Sequence, residues 1–186
     1  MEYFNELSRL FKKIEARDDQ RKVLPAKKAI LRISNLIIEK NKIGNKIILI
    51  GNGGSASIAS HIAIDFLKNA SIPAEAFNDA SLLTCISNDL GYEYVFQKPI
   101  EMLGKENDIL FSISSSGASR NILNATYAAR KKNFFIITLS GFDKNNALRA
   151  LGDLNFYLPS NSYGYVEIIH LAICHAIVDN VILGKA

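Results

Sequence analysis

Ile47-Ile48-Leu49-Ile50 runs straight into Gly51-Asn52-Gly53-Gly54-Ser55, and from there a helical stretch continues to about Asn69. A short apolar run bounded by glycine reads as a buried strand, because a parallel strand covered on both faces is apolar throughout rather than alternating. The glycine-rich turn lets the backbone approach a ligand closely. The helix that follows aims its free amides at the same place, so Asn52, Gly53, Gly54 and Ser55 are candidates to hold an anion such as a phosphate. The string also satisfies G-x-G-x-x-A through Gly51, Gly53 and Ala56, with Glu75 or Asp79 about 20 positions on, so a dinucleotide stays open at this point. A plain strand-to-helix turn without a ligand stays open too.

The unit recurs downstream. Asp108 to Ile113 reads as a buried strand, Ser114-Ser115-Ser116-Gly117-Ala118-Ser119 as a loop, and Arg120 to Lys132 as a helix. Ser114, Ser115, Ser116 and Ser119 place four hydroxyls where each can donate to a phosphate oxygen, although a serine-rich loop can also be a simple helix cap. Further strands are predicted at about 74–77, 134–139 and 154–158, and a closing helix from about Tyr165 to Leu183. Strands alternating with helices imply an α/β protein with a mostly parallel sheet, whose ligands bind beyond the carboxyl ends of the strands. Two anion loops on one sheet favour a phosphorylated small molecule. Upstream, Phe4, Leu7, Leu10/Phe11 and Ile14 recur at helical spacing, as do Ala29/Ile30, Ile33 and Leu36/Ile37, with a break near Leu24-Pro25. Residues 1–45 are therefore predicted to form a helical hairpin ahead of a domain spanning 46–186.

Composition narrows the class of protein. With 186 residues, 48% apolar and 22% charged, the chain has material for one large core and is neither disordered nor repetitive. Its net charge of +4 is uneven: residues 1–46 hold 12 Lys/Arg against 6 Asp/Glu, and the remainder 10 against 12. The aromatics of the basic segment follow an apolar periodicity and are not interleaved with its cations, which points to a solvated face and no nucleic acid. The amino terminus lacks a basic stretch followed by an apolar one, so no secretory signal is expected and the cytoplasm is the expected compartment. Val166 to Leu183 contains Glu167, His170, His175, Asp179 and Asn180, which reads as a buried helix and no membrane span. Cys85 and Cys174 form no framework of pairs and are expected to be reduced, buried thiols.

All three histidines have carboxylates for neighbours. His61 and Asp65 are i and i+4, stacked on one helix face beyond the glycine loop. In the closing helix Glu167 and His170 are i and i+3, whereas Glu167 and His175 are eight apart, about 12 Å of rise. Each histidine alone reads as a locally satisfied side chain. Beside two anion loops, the set points to metal or acid–base chemistry.

The ordered set of Gly51-Asn52-Gly53-Gly54-Ser55 with His61, Ser87-Asn88-Asp89-Leu90-Gly91-Tyr92, Ile113 to Ser119, and the closing helix with Glu167, His170 and His175 resembles sugar-isomerase (SIS) domains of the phosphoheptose isomerase type. The resemblance runs over essentially the whole chain. It implies a five-stranded parallel sheet with helices on both faces, and a homotetramer with sites at subunit interfaces, the amino-terminal hairpin serving oligomerisation. It also implies conversion of sedoheptulose 7-phosphate into D-glycero-D-manno-heptose 7-phosphate for lipopolysaccharide or capsule. By position it assigns the substrate to Asn52, Gly53, Gly54, Ser55, Asn88, Asp89, Ser114, Ser115, Ser116, Ser119 and Glu167. It assigns catalysis to Asp65 and His175, and a divalent metal, zinc, to His61, Asp65, Glu167 and His175. Departures are that Asp65 stands where the family has glutamate, Glu167 where it has glutamine, Asn69 for an arginine, and Gly164 for an aspartate. A non-catalytic SIS module that binds a sugar phosphate or a protein partner has no need of His61, Asp65, Glu167 and His175 together, so an enzyme is the expectation.

Overall fold

The structure, a computed structural model, describes residues 1–185. Along the chain lie α1 (Glu2–Phe11), β1 (Glu15–Asp18), β2 (Val23–Leu24), α2 (Ala26–Lys42), β3 (Ile47–Gly51), α3 (Gly54–Lys68), β4 (Ala74–Ala76), α4 (Ala80–Asp89), α5 (Gln97–Leu103), β5 (Ile109–Ser114), α6 (Arg120–Lys131), β6 (Phe135–Ser140), β7 (Leu154–Tyr157) and α7 (Tyr163–Lys185). β3 and β5 are buried at every position, as strands covered on both faces must be. One apolar cluster, built around Ile33, Leu49, Phe66, Phe111, Phe156 and Ile177, fills the face under α2, α3 and α7. A second, around Ile50, Phe96, Leu110, Ile122 and Leu148, fills the face under α5 and α6. Buried Asp108 accepts from the amides of Lys46 at 3.0 Å and Lys105 at 2.9 Å, pinning the entrances of β3 and β5 together.

The sheet order is β2-β1-β7-β6-β5-β3-β4. The expected five-stranded parallel sheet is the contiguous block β4-β3-β5-β6-β7, but two antiparallel strands extend it to seven. The amino-terminal segment is accordingly two helices with a β-hairpin between them. Helix α1 stops at Phe11 and does not reach Ile14. The physical cause is the edge of β7, whose unpaired amides and carbonyls are satisfied when Glu15, Ala16, Arg17 and Asp18 pair with Tyr157, Phe156, Asn155 and Leu154. Asp18 fixes the turn by accepting from the Lys22 amide at 2.8 Å.

β3 pairs with β4 on one side and β5 on the other, so the chain reverses its direction of travel across the sheet at β3. The crevice at such a reversal, beyond the carboxyl ends of β3 and β5, is where ligands of open α/β sheets bind. The glycine loop follows β3 and the serine loop follows β5.

Helix α7 is long and apolar enough, by length and composition, to cross a membrane over Tyr163–Gly184. Its Val166, Ile169, Ile173, Ile177 and Val181 are instead buried in the core, and Ser34 of α2 donates to the Ile177 carbonyl at 3.2 Å. The helix is thus a core element, as its polar residues predict. Both cysteines are free. Cys174 is buried, but Cys85 is exposed on α4, contrary to expectation, because α4 buries none of its residues completely.

Candidate active site

The glycine loop turns on Gly53, whose φ of 53° lies in the left-handed region, and the Ser55 amide closes the turn onto the Asn52 carbonyl at 2.9 Å. A side chain at Gly54 would collide with the Glu167 carboxylate, so the start of α3 rests directly on the first turns of α7. In the serine loop the Gly117 amide donates to Ser114 Oγ at 3.2 Å, and the Gly141 amide ties the Ser115 carbonyl to the end of β6 at 2.9 Å. Between the two loops lies a cleft of about 250 Å³, lined by Asn52, Gly53, Gly54, Ser55, Ser114, Ser115, Ser116, Ser119, Tyr163 and Glu167. Its lining offers amides and hydroxyls and no cationic side chain. Ser115 Oγ is buried without a hydrogen-bond partner, a donor left over for whatever enters.

One wall of the cleft is fixed by side-chain amides. Asn52 and Asn121 donate to each other, at 2.9 and 2.8 Å, and the Tyr92 hydroxyl donates to Asn52 Oδ1 at 3.0 Å. This network holds the Asn52 side chain in place between the first residues of α6 and the short turn after α4. Asn121 is 2% exposed, so the pair is locked by burial as well as by hydrogen bonds.

Farther along α3 and α7 a second group assembles. Asp65 Oδ2 lies 3.6 Å from His61 Nε2 and 3.5 Å from His175 Nδ1, and ligand atoms of all three residues fall within 4.8 Å of one another. Asn69 donates to the other Asp65 oxygen at 3.1 Å, orienting the carboxylate. One carboxylate oxygen facing two imidazoles is a donor set that fits a divalent cation of zinc type. The same arrangement can pass a proton between a carboxylate and an imidazole. His61 sits seven residues after Gly54, about 10 Å of helix rise from the cleft.

A SIS-domain family model matches residues 2–141. The phosphoheptose isomerase of Helicobacter hepaticus is 37% identical over 164 residues, covering 85% of this chain and 83% of the relative. The phosphoheptose isomerase structure from Neisseria gonorrhoeae superposes with a TM-score of 0.83 at 28% identity, covering 96% of this chain and 95% of that one. The Francisella tularensis phosphoheptose isomerase structure gives the same TM-score over 97% and 94%. The chain belongs to the phosphoheptose isomerase family of SIS-domain proteins.

Within this family member the structure sorts the residues singled out by sequence into three places. Asn52, Gly53, Gly54, Ser55, Ser114, Ser115, Ser116, Ser119 and Glu167 share the cleft. His61, Asp65 and His175 share the second group, which does not include Glu167. Asn88 and Asp89 line neither. They end α4, where Asn88 Nδ2 donates to Asp89 Oδ1 at 2.8 Å, and Asn88 borders a shallow hollow with Tyr92. His170, i+3 from Glu167, turns the other way into the core, with Nε2 3.3 Å from the Ser140 carbonyl and Nδ1 unpartnered. Burial pushes its pKa down to about 4, keeping it neutral. Asn121, Tyr92 and Tyr163 were not singled out as binding residues. Position gave a signal for Asn121, which opens a helix right behind the serine loop.

Proposed function

We propose that the protein is an aldose–ketose isomerase that interconverts sedoheptulose 7-phosphate and D-glycero-D-manno-heptose 7-phosphate. The observation that carries this reading is the spacing of two chemistries along the same pair of helices. A cleft of neutral amide and hydroxyl donors, bordered by the Glu167 carboxylate, lies at the start of α3, and a carboxylate–imidazole group lies two helical turns farther on. A phosphate held at one end leaves the carbonyl end of an extended seven-carbon chain to reach the other. The names of the relatives agree with that substrate class.

In the isomerisation a proton leaves C1 of the ketose and another arrives at C2, while the O1 hydroxyl proton is given up and O2 gains one through an enediolate. Asp65 and His175 share this work: the carboxylate takes the carbon-bound proton and the imidazole serves the oxygens. Ser55, Ser114, Ser115, Ser116 and Ser119 with the Gly53 and Gly54 amides hold the phosphate, fixing C1 and C2 against the acid–base pair. Glu167, at the cleft's inner edge, accepts from sugar hydroxyls. His61, Asp65 and His175, with Glu167 as the fourth donor, would hold zinc, which supplies Lewis-acid polarisation of the substrate oxygens when bound. The protein works in the cytoplasm as a homotetramer with residues 1–45 at subunit contacts, its sites completed there by Asn88 and Asp89 on exposed α4, and its product serves surface polysaccharide.

The test is incubation of the purified protein with sedoheptulose 7-phosphate and, in parallel, with unphosphorylated sedoheptulose, followed by proton NMR of the anomeric region. Aldose signals from the phosphorylated ketose alone are expected. No aldose from either would overturn the reading in favour of a module that only binds sugar phosphates.

A further inference from the structure

A second cleft, of about 290 Å³, lies between the β1–β2 hairpin and the loop that joins β6 to β7, and it shares no lining residue with the active cleft. Its chemistry is the reverse of the first. Four cationic side chains, Arg17, Arg21, Lys144 and Arg149, face it, against two carboxylates, Asp18 and Asp19. We propose that this cleft is a binding site for a small phosphate monoester, separate from the substrate site.

The protein neutralises only part of this positive charge. Arg17 and Arg149 share one carboxylate, Glu15, at 3.1 and 2.6 Å, so a single negative charge serves two guanidiniums. Nε of each is buried without an acceptor. Among the described residues the Arg21 and Lys144 side chains have no ion pair and no hydrogen bond, and both are exposed at the rim. Asp18 is partly spent on the Lys22 amide.

The site is also organised in advance. The Arg149 guanidinium lies 4.1 Å from the centre of the Tyr157 ring and donates to the Lys144 carbonyl at 2.8 Å, so its plane is fixed before anything binds. Guanidinium forks held in place and flanked by exposed cations match the several oxygens of a phosphate better than a single point charge does. The volume exceeds what a phosphate alone fills, which leaves room for the organic part of an ester. Asn146 forms the wall toward the active site: it accepts from the Arg149 amide at 3.0 Å and packs so closely on Gly117 of the serine loop that no side chain fits there.

Equilibrium dialysis of the full chain with phenyl phosphate tests the proposal, using wild type, Arg21→Ala/Lys144→Ala and Ser55→Ala/Ser115→Ala. Two equivalents per chain are expected in wild type and one in each double variant. The equivalent that survives the serine substitutions should weaken with added salt much more than the one that survives loss of the cations. An Arg21→Ala/Lys144→Ala protein that binds as many equivalents as wild type would overturn it, whereas a wild type that binds a single equivalent, lost in that variant and kept in the serine variant, would support it and overturn only the phosphate role proposed for the serine cleft. Because both substituted cations are exposed and unpartnered, an unchanged melting temperature is expected to certify the fold, and Arg21→Gln/Lys144→Gln repeats the test with side chains closer in size. Inorganic phosphate in a parallel arm distinguishes the source: the ester should bind this site more tightly, and equal or tighter binding of free phosphate would overturn the assignment to an ester.

Discussion

In the proposed mechanism Asp65 stands at the centre of the chemistry, because one of its oxygens faces both His61 and His175 while Asn69 steadies the other. Replacing it with Asn keeps the shape and removes the base, so kcat should fall by roughly 10²- to 10⁴-fold with KM little changed, read by steady-state kinetics. A variant with wild-type turnover would remove Asp65 from the acid–base role. Ser115 makes a different prediction. Its buried hydroxyl has no partner within the protein, so Ser115→Ala should leave the fold intact. A hydrogen bond to a charged group contributes about 1.5–3 kcal/mol, so kcat/KM should fall roughly 10- to 100-fold, mostly through KM. The serine and glycine loops were legible because each packs several telling residues into one short run. Asn121 and Tyr92 were not, since their roles depend on partners 69 and 40 residues away in the chain.

Among the elements, α3 and α7 carry both halves of the site, and their contact at Gly54 and Glu167 sets how the halves meet. Gly54→Ala should cost little stability, because the atoms it strikes are the far end of a flexible side chain. It should nonetheless raise KM by driving that carboxylate into the phosphate cleft. Helix α7 also carries a pH dependence. Its buried His170 titrates at about 4, against about 6.5 in the unfolded chain, so the unfolded state takes up the proton first as pH falls. The stability it contributes is complete above about pH 6.5 and is lost progressively between about 6.5 and about 4, on the order of 3 kcal/mol. Urea unfolding at pH 7.5 and 4.5 should show this loss in wild type and a smaller one in His170→Gln. Of the five parallel strands, all but the short Ala74-Glu75-Ala76 were readable as largely apolar runs between turn residues. The hairpin strand Glu15-Ala16-Arg17-Asp18 was hidden, because a four-residue edge strand that is three-quarters charged has no pattern of its own. Its structure comes from the free edge of β7, more than 130 residues downstream.

For the whole molecule, the sheet reversal at β3 brings two loops 60 residues apart in sequence to one crevice, and the two helices laid across one face extend that crevice to the carboxylate–imidazole group. Treatment with a strong chelator should lower turnover, and added zinc should restore it if His61, Asp65, Glu167 and His175 hold the ion; turnover indifferent to both would leave those residues to acid–base work alone. The central claim is that one substrate is held at the cleft while Asp65 and His175 move its protons. Running the reaction from sedoheptulose 7-phosphate in deuterated water and following C1 and C2 by NMR tests it most directly. The account predicts aldose with solvent deuterium at C2, formed by wild type and not by Asp65→Asn. Aldose formed, or deuterium entering, as fast in the variant as in wild type would contradict it.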